Sequence, residues 1–210
     1  MIKPLDYSKI VTINNDEKYL RQISKEVDFN DPDLTNDIEV LKKYCQDNDV
    51  LAMASVQLKI PKRILYLKNT DLSIIKKMHQ NIATEEEQNF NEERIIINPI
   101  IISKEGLTEY WESCASCLDN MGLVRRPYKN VVEYYDVYGE KHVDVFEGFE
   151  STVLSHEMDH LDGILHMDKS IELINMPQEE RKIFRKTHGY DILYKEGNYD
   201  DLIVQKHLQL

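Results

Sequence analysis

Three histidines and a glutamate fall in one stretch, "HEMDHLDGILH", His156 to His166. His156 and His160 are four residues apart, so on a helix both imidazoles emerge on one face and can share a metal ion. Glu157 stands beside that face, too far round to be the easiest ligand but able to reach a water at the metal. A metal lowers the pKa of bound water to about 7, and a carboxylate can shuttle the released proton. This is the mechanics of the His-Glu-x-x-His pattern. The bland alternative is a surface helix with two chance histidines. The apolar stripe Leu154, Met158, Leu161 and Leu165 argues against it, because it places the helix in a core.

Such a metal needs a third protein ligand, and the sequence offers two kinds. His166 completes the His-Glu-x-x-His-x-x-Gly-x-x-His pattern of metzincin peptidases, in which the chain turns at the glycine, here Gly163. Met176 lies downstream, where their methionine turn would be sought. If instead the helix continues past Gly163, His166 lies about 80° from His156 and about 120° from His160 around the axis and misses the metal. The other kind is a cysteine in "YWESCASCLDNMGLVRRP", Cys114 or Cys117. This CxxC also fits a redox pair or half a zinc ribbon. With no second CxxC and no thioredoxin-like context, neither is favoured.

The elements that must position these residues are legible in outline. "NDEKYLRQISKEV" and "DPDLTNDIEVLKKYCQDND" read as helix-rich, with Ile38, Leu41 and Tyr44 at helical spacing. Residues 63–67, "RILYL", read as a buried strand, and 94–103, "RIIINPIIIS", as a strand with an edge or bulge at Pro99. "NVVEYYDVYGEKHVDVFEG" reads as a hairpin with its turn at "YGEK". A last helix, "PQEERKIFRKTH", has Asn175 as its expected cap and Pro177 in its first turn. Strands first and a core helix late give an α+β fold, with mainly antiparallel sheets around a central metal-binding helix and a C-terminal helix. Residues 1–175 are expected to form the catalytic domain, interrupted by a polar insertion at 69–93, and 176–210 a helical extension.

Bulk properties narrow the function further. The 210 residues suit one domain with an appendage, and 41% hydrophobic content is enough for a core. A net charge of −12 argues against a nucleic-acid binder. No run approaches the roughly 18 apolar residues of a membrane span. The start, "MIKPLDYSKI", has no apolar core of a signal peptide, and Cys45, Cys114 and Cys117 are the only cysteines. Both features point to a cytoplasmic protein with reduced or metal-bound thiols.

The chain resembles the peptide deformylase family over most of its length, in three blocks that stand in that family's order. "HEMDHLDG" fits the His-Glu-x-Asp-His-Leu-x-Gly helix, whereas metzincins usually have glycine where Asp159 stands. "ESCAS", 112–116, corresponds to Glu-Gly-Cys-Leu-Ser, and "VLAMASVQ", 50–57, to Gly-x-Gly-x-Ala-Ala-x-Gln. In this register Cys114 is the ligand, Glu112 keeps its place, and Val124 and Arg126 fall on the family's valine and arginine without a gap. Cys117 as ligand loses that glutamate and breaks the spacing. The chain also departs from the family. Val50 and Ala52 replace glycines, and Ser55 and Val56 replace an alanine and a proline. Ser113, Ala115 and Ser155 stand for glycine, leucine and glutamine. A non-catalytic relative is therefore a third reading, beside deformylase and metzincin-type peptidase.

The resemblance implies a metal-dependent amidohydrolase that removes the formyl group from the N-terminal methionine of new peptides. It implies Cys114, His156 and His160 as ligands, and ferrous iron as the native metal, with zinc, nickel or cobalt able to substitute. Glu157 is the implied proton shuttle. The Gln57 amide and the Ala115 backbone N–H are the implied oxyanion donors. N-formyl-methionyl peptides would lie extended near Val50, Leu51, Ala52 and Ser113. Arg181, Lys182, Arg185 and Lys186 give the last helix a basic face, which the resemblance connects with ribosome contact. A solvated helix face is the plainer reading of those charges.

Overall fold

The computed structural model describes residues 5–68 and 93–207. The insertion expected at 69–93 lies almost wholly outside these residues. The described elements are α1 (Ile13–Leu20), α2 (Leu34–Asp47), β1 (Ala52–Ala54), β2 (Ile64–Lys68), β3 (Glu93–Ser113), β4 (Asn120–Arg126), β5 (Lys129–Tyr135), β6 (Lys141–Glu147), α3 (Phe149–Leu161), α4 (His166–Lys169), β7 (Ser170–Asn175), α5 (Gln178–Thr187), β8 (Asp191–Asn198) and α6 (Tyr199–His207). All strand pairings are antiparallel within one sheet. The fold is α+β, as the order of elements suggested.

Strand β3 organises the sheet. Its first half pairs with β2 on one side and β5 on the other, and its second half with β8 and β4. It bends at Asn98 and Pro99, where the register with β5 shifts. Asn98 sits at φ 51°, and its amide bonds both the N–H and the C=O of Val27, which ties the bend to the N-terminal segment. The bulge expected at Pro99 is therefore present. β5 alternates buried and half-buried residues, while β6 exposes one face, the pattern of a hairpin packed on one side.

Helix α3 is buried nearly all round. Leu154, Met158 and Leu161 pack with Val56, Leu65, Ile96 and Phe146 on one side. The other side carries His156, Glu157 and His160. The helix stops at Leu161, and Gly163 follows at φ 71°. A Cβ at Gly163 would come within 2.2 Å of the Arg21 carbonyl oxygen, so only glycine lets the chain turn beneath the N-terminal segment. The continuation of the helix past Gly163 is thus corrected. Leu165 leaves the helical stripe and joins Val11, Leu20 and Cys117 in a separate cluster.

Two expectations for the C-terminal part also change. Residues 176–210 are not helical throughout, because β8 pairs with β3 from Glu105 to Glu109. The free edge of β3 supplies backbone partners that no local propensity records. Helix α5 is capped at Pro177, not Asn175, which closes β7, and Glu179 and Glu180 lie in its first turn, where they suit the helix dipole.

Candidate metal centre

Cys114 directly follows β3, and the chain then turns through Ala115–Cys117. This brings the Cys114 sulfur close to both α3 imidazoles. Ligand atoms of Cys114, His156 and His160 all lie within 4.8 Å of one another, and all three residues are buried. Cys114 Sγ is 3.2 Å from His160 Nε2. His156 uses Nδ1 to bond Glu112 Oε2 at 2.8 Å, which leaves its Nε2 for a metal. A thiolate and two neutral imidazoles suit a divalent transition metal and leave a coordination position for water. The other close group of such side chains among the described residues, Asp136, Glu140 and His142, belongs to the exposed β5–β6 turn.

Behind His156 stands a buried charge network. Glu112 takes two bonds from Arg126, at 2.8 and 2.9 Å, and Arg126 reaches Asp159 with its other terminal nitrogen. Asp159 in turn accepts from Lys169 at 2.6 Å. Burial alone would raise the Glu112 carboxyl, but Arg126 and the bond from His156 hold it well below the usual carboxylate range. Glu112 is therefore ionised and fixes the tautomer and the angle of His156. In the sequence Glu112 and Arg126 are only register points. Their partnership spans β3 and β4, and a pair at that separation leaves no periodic signal. Of the departures from the family pattern, Ser155 has a plain structural use: its hydroxyl accepts from Asn130 and donates to the Ser151 carbonyl.

The remaining expected residues surround the ligands. Gln57 Oε1 accepts from the Ala54 N–H at 3.1 Å, which turns its Nε2 toward Cys114 Sγ (3.4 Å) and Ser116 Oγ (2.9 Å). Ser116, as the partner that shares this amide, was not foreseen. The turn after Cys114 takes its bonds from the N–H groups of Cys117 and Leu118, so the Ala115 N–H is not consumed by it. Glu157 is buried, and its Oε2 has no hydrogen-bond partner. Burial pushes this carboxyl up to about 7, with Cys114 adding to the shift and His156 opposing it. Val50, Leu51 and Ala52 are half-buried and lead into β1, whose described partner is β2 on one edge. Val50 and Ala52 lean on different core clusters. The Ser113 hydroxyl accepts from Arg185 at 2.6 Å.

His166 comes closer than a continuous helix would allow, yet it does not join the ligand group. Its ring stacks on that of His156, with centroids 5.7 Å apart and an interplanar angle of 24°. It is 1% exposed, and neither ring nitrogen has a hydrogen-bond partner. Burial lowers its pKa to about 4, so the ring is neutral. Its contribution is a packed face behind a ligand. His166→Phe is expected to keep metal content at the wild-type level and melting temperature at or above it, since a phenyl ring carries no unpaired buried nitrogen. Metal analysis and a thermal melt check this; loss of the metal would return His166 to the ligand set.

Comparison with known proteins agrees with this geometry. The pattern of the polypeptide deformylase family matches residues 7–176. A peptide deformylase from Nautilia profundicola is 33% identical over 162 residues, 76% of this chain and 84% of that protein. One from Pelagibacter ubique is 31% identical over 152 residues, 72% of this chain and 80% of that protein. Among solved structures, a probable peptide deformylase from synechococcus phage S-SSM7 superposes with a TM-score of 0.63 at 29% identity, covering 77% of this chain and 98% of that one. A Plasmodium falciparum peptide deformylase in complex with an inhibitor gives 0.60 at 27% identity, over 85% of this chain and 95% of that one. With a sulfur and two imidazoles converging where that family's three blocks meet, the chain belongs to the peptide deformylase family.

Proposed function

We propose that the protein hydrolyses the formyl group from the N-terminal methionine of newly made peptides, releasing formate and a free amine. The observation that carries this reading is the convergence of Cys114, His156 and His160, with Glu157 and Gln57 beside them. When bound, a divalent metal supplies Lewis acidity and brings the pKa of a water to about 7. Ferrous iron is the metal the resemblance implies; zinc, nickel and cobalt suit the same donors.

The chain's own residues do the rest. Glu157 accepts a proton from the attacking water and returns it to the leaving amine nitrogen. Its buried, unpaired oxygen and raised pKa suit a group that must hold a proton for part of the cycle. The Gln57 amide and the Ala115 N–H donate to the oxygen that becomes negative as the carbonyl carbon turns tetrahedral. Glu112 keeps His156 from rotating. Val50, Leu51, Ala52 and Ser113 border the place for an extended peptide. Ribosome contact through the basic helix α5, which α6 follows, receives nothing from Arg181, which is buried and bonds the carbonyls of Met176 and Leu118, nor from Arg185, which turns toward β3.

The described residues include no helix long and apolar enough to cross a membrane. The decisive assay is formate release from formyl-methionyl-alanyl-serine by metal-loaded protein. Release is expected to stop after chelation and return with Fe(II) or Ni(II). A folded, metal-loaded protein that releases no formate would leave the non-catalytic reading in its place, with Val50, Ala52 and Ser113 as the first residues to revert to glycine.

A further inference from the structure

The last residues of β3 run directly into the ligand Cys114, and one edge of that stretch carries no strand. On the side where β8 pairs, the pairing ends at Glu109, so among the described residues no strand covers Tyr110 to Ser113 there. A bare strand edge beside a hydrolytic centre is a template for an extended peptide. In this chain the edge is covered from within. Arg185 of α5 donates to the Trp111 carbonyl at 3.3 and 3.4 Å and to Ser113 Oγ at 2.6 Å, and its guanidinium lies over the Tyr110 ring.

A second contact follows just beyond α5. Tyr190 packs edge-on against both Tyr110 and Phe149, with centroids 6.1 and 5.7 Å apart. Phe149, Thr152 and His156 are three and four residues apart in turn, so they share one face of α3. Tyr110 shares a face of β3 with Glu112, which bonds His156. The recess that Tyr190 fills therefore adjoins the metal ligands along both elements. The fit is imperfect. The Tyr190 hydroxyl is buried without a hydrogen-bond partner, which carries a cost. Thr187, His188 and Gly189, which lead to it, are exposed, and nothing lies within 4 Å of where a Gly189 Cβ would be.

We propose that Arg185 and Tyr190 govern which peptides reach this site, by occupying the open edge of β3 and the aromatic recess that an extended peptide with an apolar N-terminal side chain must take. The proposal rests on the deformylase reading for the identity of that peptide. Entry then requires the segment from α5 to Tyr190 to be displaced, and the apparent affinity falls by the fraction of molecules already open.

Trp111 is the only tryptophan, and its ring contacts Phe184 and His188 of the same segment, so its emission reports displacement without reference to activity. In metal-loaded Glu157→Gln protein, which should bind without turnover, formyl-methionyl-alanyl-serine is expected to shift Trp111 emission to the red. The double variant Arg185→Ala, Tyr190→Ala is expected to start red-shifted and to lower KM about tenfold, the weight of a lost hydrogen bond to a charged group. The change should fall on KM rather than kcat. Arg185→Lys, which keeps the charge, should fall between. A raised or unchanged KM, or peptide binding with unmoved emission, would overturn the proposal. If the double variant does not fold, the emission titration of the Glu157→Gln protein decides alone. A peptide-induced shift with no formate from wild type would instead remove the deformylase reading and leave the displacement standing.

Discussion

Cys114→Ala is expected to leave the protein without stoichiometric metal, while Cys117→Ala keeps it. The two cysteines are three residues apart and both buried, so burial does not separate them. Position does. Cys114 Sγ lies against His160 Nε2 and within reach of the His156 ligand nitrogen, whereas Cys117 is not among the grouped ligand atoms. Removing the thiolate leaves two imidazoles and takes away the anionic donor that offsets the metal's charge. The loss in affinity should exceed the roughly 10–100-fold that follows loss of an outer hydrogen-bond partner. Cys117 packs among Val11, Leu20 and Leu165, so its replacement removes one buried sulfur from an apolar cluster. The expected cost is about 1 kcal/mol of stability, at the small end of core truncations. Metal analysis after desalting, with a melt on the same samples, checks both. Equal metal loss in the two variants would mean a shared CxxC site.

Glu157→Ala should separate binding from chemistry. The carboxylate is next to a ligand in sequence but is cast as the proton carrier, so the variant should keep its metal. It should also keep its fold, because Oε2 has no partner to orphan and a buried ionisable group is removed. Formate release should fall by at least the roughly 10²–10⁴-fold typical of lost general acid–base catalysis. The loss should appear in kcat, because the missing transfer belongs to the transition state. A structural glutamate would do the reverse, lowering the melting temperature and sparing the specific activity of folded protein. Metal content, melt and formate release on one preparation distinguish the two. Folded, metal-loaded Glu157→Ala working at the wild-type rate would refute the mechanism.

What could be read in the sequence is what local geometry dictates. The four-residue spacing of His156 and His160 places both rings on one helix face whatever surrounds them, because the helical period is a property of the backbone. The alternation in β5 and the apolar run of β2 are local in the same sense, and each is observed. Cys114 and Gln57 were located by the order of three blocks, not by any period, since the contact between them joins residues 57 apart. Which candidate stands with the two imidazoles is legible only in the tertiary structure, which groups Cys114 with them. The chain does turn at Gly163, as the metzincin-like pattern requires. Even so, α4 and the short approach of Gly122 to Ser170 and His166 hold His166 beside His156 and outside the ligand group. The Glu112–Arg126–Asp159 network and the cover of Arg185 over β3 are likewise invisible locally. They join residues 14, 33 and 74 positions apart, and such pairs are set by which elements the sheet brings together. A sequence records the helix and strand periods directly; it records partners at these distances only through the packing of the whole chain.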